Sequence, residues 1–138
     1  MNAFELQLGD IVSYFGDPVR VVSLSFNDDE PIGIISPLTN NIFTLRKKDV
    51  YPVQLTTDIL LNNGFGQDTI GSGLILHIDN SENLYVLVNY RYNGECRNVE
   101  ISNRMYNLSR PIKYVHELQH ALRLCGLSEL ADKFIIDI

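Results

Sequence analysis

The sequence predicts an α+β protein: an N-terminal SH3-like small β-barrel or curved sheet, a short helix, a three-stranded antiparallel meander, and a C-terminal helix packed on that meander. Three observations predict it. The first half breaks into short runs rich in Val, Ile, Phe and Tyr, separated by Gly, Pro, Asn and Asp clusters. The dipeptide Asn93-Gly94 stands between two alternating segments, the strongest short-range hairpin signal a chain can carry. From residue 111 the apolar spacing changes to that of a helix. Residues 1–54 are expected to form the SH3-like subdomain and residues 55–138 the α+β subdomain, together in one compact unit.

In order, residues 10–15, 18–25, 32–36, 41–46 and 49–53 read as strands. Five short strands in so little chain suit a strongly bent sheet, because a sheet that small must curl to bury one face. The opening Leu6-x-Leu8-Gly9-Asp10-x-Val12 resembles the entry to an SH3-like barrel, with Gly9 supplying a tight turn. Residues 55–65 change period: Thr56 or Thr57 caps a short helix, Asp58 lies in its first turn, and Asn63-Gly64 stops it. This helix and the glycine-rich stretch after it form the expected internal joint.

Residues 72–78, 84–92 and 95–101 read as the meander. A type I′ turn at Asn93-Gly94 pairs Tyr92 with Glu95, Tyr90 with Arg97, Val88 with Val99 and Val86 with Ile101. One face then carries Leu74, Leu76, Ile78, Val86, Val88, Val99 and Ile101. The opposite face carries Leu87, Asn89, Arg91, Cys96, Asn98 and Glu100. After Ser109 or Arg110 as cap and Pro111 in the first turn, a helix is expected over 111–125, stopping at Gly126. Ser128 caps a last short helix, and residues 134–138 are expected as a terminal strand.

Composition excludes several function classes. The chain of 138 residues has 17 Asp+Glu against 11 Lys+Arg, a net charge of −6. Residues 1–54 hold 4 basic and 7 acidic residues and the remainder 7 and 10, so each part carries −3 and the acidity is spread evenly. Acidity of this kind disfavours duplex nucleic acid, where Lys and Arg drive affinity. No apolar run approaches the roughly 18 residues of a membrane span, and the first ten residues predict no signal peptide. Cys96 and Cys125 are expected as free thiols of a reducing cytosol, without a CxxC partner.

One motif carries chemistry on its face. Residues 116–120 read His-Glu-Leu-Gln-His, the H-E-x-x-H of zinc hydrolases. His116 and His120 stand one helical turn apart and could share a zinc, with Glu117 as general base on its water. Against this, the extended metzincin pattern wants Gly and His where Arg123 and Gly126 stand. Third-ligand candidates after the motif are Glu129, Asp132 and Asp137, and His77 lies opposite the expected core face. On a helical wheel Tyr114, Val115, Leu118, Ala121, Leu122 and Cys125 form the apolar stripe, while His116 and His120 point away beside Lys113 and Arg123. The expectation is therefore solvent-facing histidines, with no metal, no cofactor and no catalytic residue.

Tyr90, Arg91, Tyr92 and Arg97 form a possible binding surface, since single-strand binders stack bases on aromatics beside cations. Ordinary cross-strand packing explains the same residues, and Glu95 and Glu100 weaken the field, so nucleic acid is an unfavoured partner. Arg46-Lys47-Lys48 is the single basic run and reads as a solvated turn. Asp28-Asp29-Glu30 lacks the spacing of a calcium loop. The glycine pairs at 64/66 and 71/73 lack the context of a nucleotide site.

Three segments together carry a resemblance: Glu5-Leu6-x-Leu8-Gly9-Asp10-x-Val12, then Pro52-Val53-Gln54-Leu55-Thr56 with Leu60 and Gly64-Phe65, and Tyr114-Val115-His116-Glu117-Leu118-Gln119. The chain resembles a group of small uncharacterised proteins of gut-bacterial genomes and phage-like mobile elements. In that group the closing helix reads Y-V-H-x-L-Q-N, which implies a non-ligand at the position of His120. The resemblance implies an accessory role on a mobile element. The reading is a non-enzymatic cytoplasmic binding protein that acts through a protein partner or self-association. A zinc hydrolase and a single-strand binder are the alternatives.

Overall fold

A computed structural model describes residues 6–24, 31–36, 40–67, 73–79, 83–90, 96–104 and 106–135. It is a mixed α+β protein built mostly of antiparallel strands. The chain divides into two compact units, Met1–Val53 and Gln54–Asp137.

The first unit is a five-stranded meander: β1 (Ile11–Tyr14), β2 (Asp17–Ser23), β3 (Pro31–Ile35), β4 (Ile42–Arg46) and β5 (Tyr51–Pro52). A single 3-10 turn over Lys47–Asp49 connects the last two. All pairs are antiparallel, and β5 returns to pair with β1, giving the order β4-β3-β2-β1-β5. Alternation sends Val12, Val19, Val21, Ile32 and Ile34 inward, where they pack with Leu6 and Val50. The Leu6-x-Leu8-Gly9-Asp10 motif forms the turn into β1 and ties it to β2. Gly9 takes φ 87°, open to a residue without Cβ. Its amide donates to Val21 O at 2.8 Å, while Asp10 Oδ2 accepts from Gln7 N at 2.7 Å. Arg20 Nη1 donates to Gly9 O at 2.9 Å. Asp10 is fully buried, so this turn is architecture.

The second unit opens with α1 (Thr57–Asn62). Thr56 caps it as expected, its hydroxyl accepting from Ile59 N at 3.3 Å. The helix stops in a Schellman turn: Phe65 N donates to Leu60 O at 3.1 Å and Gly64 N to Leu61 O at 3.2 Å. The expected three-stranded meander is the centre of a larger sheet with the order β10-β9-β8-β7-β6. Its strands are β6 (Gly66–Gln67), β7 (Gly73–His77), β8 (Tyr85–Tyr90), β9 (Cys96–Asn103) and β10 (Tyr106–Pro111). The units divide within one residue of the expected 54/55 boundary, and of the glycine-rich stretch Gly66–Gln67 pairs with β7, while residues 68–72 lie outside the described residues.

Register follows expectation in the middle and departs at the end. Val86 pairs with Ile101, Val88 with Val99 and Leu74 with Val88, and all five are buried on one face. The expected Tyr90–Arg97 pair is corrected. A register shift between Asn89 and Tyr90 sets Tyr90 against Cys96, because an extra residue in one strand advances the pairing beyond it. The Asn93-Gly94 turn and the Tyr92–Glu95 pair lie outside the described residues.

A second correction concerns residues 109–111. They do not open a helix but end β10, where Ser109, Arg110 and Pro111 pair with Glu100, Val99 and Asn98. On an edge strand proline's missing amide costs no ladder bond. The helix α2 therefore starts later, at Val115–Leu124, and α3 follows at Ser128–Asp132. Gly126, with φ 77°, turns the chain between them in another Schellman motif, with Leu127 N on Leu122 O at 2.8 Å and Gly126 N on Arg123 O at 3.2 Å. Asn103, buried at the end of β9, donates to Cys125 O at 2.8 Å and fixes this corner to the sheet. No regular strand forms at Phe134–Ile135. Instead the Asn63 amide pairs with both backbone groups of Ile135, at 2.7 and 2.8 Å. Residues 136–138 lie outside the described residues.

Candidate functional site

The H-E-x-x-H segment lies wholly on α2, and each of its five residues has a structural task or place. The helix has no side-chain cap from its N-cap residue Tyr114. Glu117 supplies the cap from the third helical position. Its Oε1 accepts from Lys113 N and Tyr114 N, both at 2.8 Å, satisfying amides just before the first turn and placing negative charge at the positive end of the helix. Glu117→Ala is expected to cost about 1 kcal/mol of stability, with Glu117→Gln recovering part of it, both read as urea midpoints. A general base without this capping role would leave the midpoint unmoved.

The expectation of solvent-facing histidines is corrected for His116, which is 2% exposed; His120 is half-buried. The wheel assumed one partner surface, the sheet. The helix has two, because it packs on β9 and on α3. His116, Gln119 and Arg123 follow one another at three- and four-residue spacing on one line of the helix. That line meets α3: Gln119 Nε2 donates to Ala131 O at 3.1 Å, and Arg123 Nη2 stands 3.6 Å from Asp132 Oδ1. Gln119 is completely buried, so this residue of the motif belongs to the seam between α2 and α3. Leu118 belongs to the core.

The two histidine rings do come together, with centroids 5.5 Å apart and planes at 75°. Tyr114 stacks on His116 at 5.8 Å, and Lys113 Nζ lies 5.5 Å from the Tyr114 ring centre. Two imidazoles are an incomplete donor set, since a zinc site takes at least three protein ligands. Of the third-ligand candidates, Asp132 faces Arg123, Glu129 is exposed on α3, and Asp137 is outside the described residues. His77 is exposed at the end of β7. Among the described residues no group of three or more His, Cys, Asp or Glu side chains is placed to hold a metal ion.

Cys125 closes α2 as its C-cap, a buried free thiol. Desolvation raises its pKa above the ordinary 9.0, with Arg110 pulling partly the other way. The neutral thiol is thus favoured in the folded state. Its stabilising contribution is complete below the unfolded value and is lost as pH rises through the raised folded one. Peptide mapping after iodoacetamide treatment at mildly alkaline pH is expected to find Cys125 unmodified until denaturant is added. Ready modification of the native protein would contradict the burial. For Cys96 only the backbone is described.

The structure describes only part of the Tyr/Arg surface. Tyr90 is half-buried at the end of β8. Arg91 and Tyr92 lie outside the described residues, and for Arg97 only the backbone, within β9, is described. Two further features escaped the sequence reading. A shallow open groove of about 520 Å³ runs along α3 beside the end of β7. Leu76, Ile78, Leu127 and Leu130 line it, with His77, Asp79, Ser128, Glu129 and Lys133. Those five polar side chains are all solvent-exposed. The other feature is β4. Its Ile42 is 70% and its Phe43 46% exposed, and Ile42 is the one apolar residue on a face it shares with Thr44 and Arg46.

No protein-family model, no curated protein and no solved structure matches the chain.

Proposed function

We propose that this chain is a non-enzymatic accessory protein that acts in the cytoplasm by protein–protein contacts, in the setting of a mobile element or prophage. The first unit is read as an SH3-like barrel, a reading supported by the meander whose fifth strand returns to its first. The resemblance of the three sequence segments supports the mobile-element setting. The observation that carries the binding role is the outer strand β4 of a five-stranded sheet, where Ile42 is exposed on one face and Phe43 is half uncovered on the core side. Exposed apolar side chains grouped on one element favour a partner that removes them from water. The test is a pull-down from host lysate with the intact chain and with Phe43→Glu. The intact chain is expected to retain a partner that the variant releases. Retention of nothing above background by the intact chain overturns the reading.

A zinc hydrolase is the second reading, favoured by one observation, the closeness of the His116 and His120 rings. It requires about one zinc per chain in the purified protein, and metal analysis without stoichiometric zinc removes it.

A further inference from the structure

The two sheets have four outer strands, and three of them carry features that discourage further pairing. β5 is two residues long and includes Pro52. β6 is two residues long and includes Gly66. β10 is longer, but Asn107, Ser109, Arg110 and Pro111 make it polar and end it in proline. Such short, polar or proline-bearing edges are the usual protection against unwanted strand addition.

β4 is neither short nor proline-bearing, and its one charged residue, Arg46, stands at its end. Ile42-Phe43-Thr44-Leu45 is free of charge and of proline, and its ladder to β3 runs through five pairs without a shift. The shifts in the sheets fall elsewhere, between Val21 and Ser23 and between Asn89 and Tyr90. Register with β3 places Phe43 beside Ile34 and Leu45 beside Ile32, on the core side of the sheet. Ile34 and Ile32 are buried, yet Phe43 is half uncovered because the core ends with the strand. Among the described residues no strand lies outside β4. One more strand would extend the core over Phe43 and pair the outward backbone groups of β4.

The chain's only basic run, Arg46-Lys47-Lys48, begins at the last residue of this edge. Arg46 shares the outer face with Thr44 and Ile42, and its contact with Asp49 is an exposed one at 3.5 Å. Exposed ion pairs of this kind are weak and readily exchanged. We propose that β4 is the docking edge for an extended acidic segment of a partner protein. That segment adds as a sixth strand, with apolar side chains over Phe43 and Leu45 and carboxylates on the other face toward Arg46 and Lys48. This rests on the binding role proposed above and names its occupant.

The test uses the full chain, isotope-labelled, titrated with a capped synthetic peptide of alternating valine and glutamate, roughly eight residues long. Saturable amide shifts are expected over residues 42–48. A valine–lysine peptide, and a valine–glutamate peptide N-methylated along one edge, are expected to leave them unmoved. In the double variant Arg46→Glu, Lys48→Glu, both exposed positions, the preference is expected to reverse from the glutamate to the lysine peptide by about tenfold in each affinity. Four results overturn the proposal: no shift at millimolar peptide, shifts elsewhere in the chain, equal binding of the lysine peptide, or dimerisation through β4 without peptide. If the intact chain still loses its partner on Phe43→Glu while the peptide fails to bind, the binding role stands and the acidic strand does not.

Discussion

Gln119→Ala is expected to destabilise the protein by about 2–4 kcal/mol, one of the largest effects of any single polar substitution here. The side chain has no exposed surface, and its amide donates to Ala131 O at 3.1 Å. Truncation removes packed volume from the seam between α2 and α3 and one of the hydrogen bonds to Ala131 O, which keeps the amide of Phe134 at 3.3 Å. Gln119→Leu separates the two contributions. It restores volume but not the bond, and is expected to retain a loss of about 1–3 kcal/mol. The measurement is the urea midpoint with its slope. A loss below half a kcal/mol for alanine would mean that the seam is loosely packed.

His116→Ala is expected to cost a similar amount, about 2–4 kcal/mol, through loss of a buried ring that lies against Tyr114 and His120. Its second readout separates packing from ligation. A metal bound only to the folded chain adds about 2.7 kcal/mol at a hundredfold excess over its dissociation constant. If His116 is core, a chelator leaves the wild-type midpoint in place and added zinc does not raise it. A chelator-induced drop in wild type that His116→Ala abolishes would instead make the ring a ligand.

The two predictions concern residues whose types the sequence displayed plainly and whose roles it displayed poorly. H-E-x-x-H is a statement about spacing, and spacing on a helix reports only which side chains share a side. Whether that side meets water, a metal or another helix depends on where the chain goes next. Here Gly126 turns it back, α3 lies against α2, and Gln119 is buried in the seam between them while Arg123 pairs with Asp132 at its rim. Glu117, the residue that spacing would make a base, instead receives the two amides of Lys113 and Tyr114. The same limit explains Ser109 to Pro111. Proline fits both a first helical turn and the end of an edge strand, and only the pairing with Asn98, Val99 and Glu100 decides between them.

Local chemistry was legible where it is self-sufficient. Thr56 caps a helix, and Gly64 and Gly126 end helices, because these are interactions among neighbours in sequence. The N-terminal strands and the Val86–Ile101 and Val88–Val99 pairs were readable for the same reason: alternation and a short connection specify both face and register. The sequence by itself therefore determined the α+β class, the N-terminal strands, the three central strands of the second sheet and the inward faces, but not β6 or β10. Tertiary structure alone decided that no strand among the described residues lies outside β4, that His116 and Gln119 are buried, and that Phe43 is half uncovered. Those are properties of distant segments meeting, and no local interaction encodes whether a partner arrives.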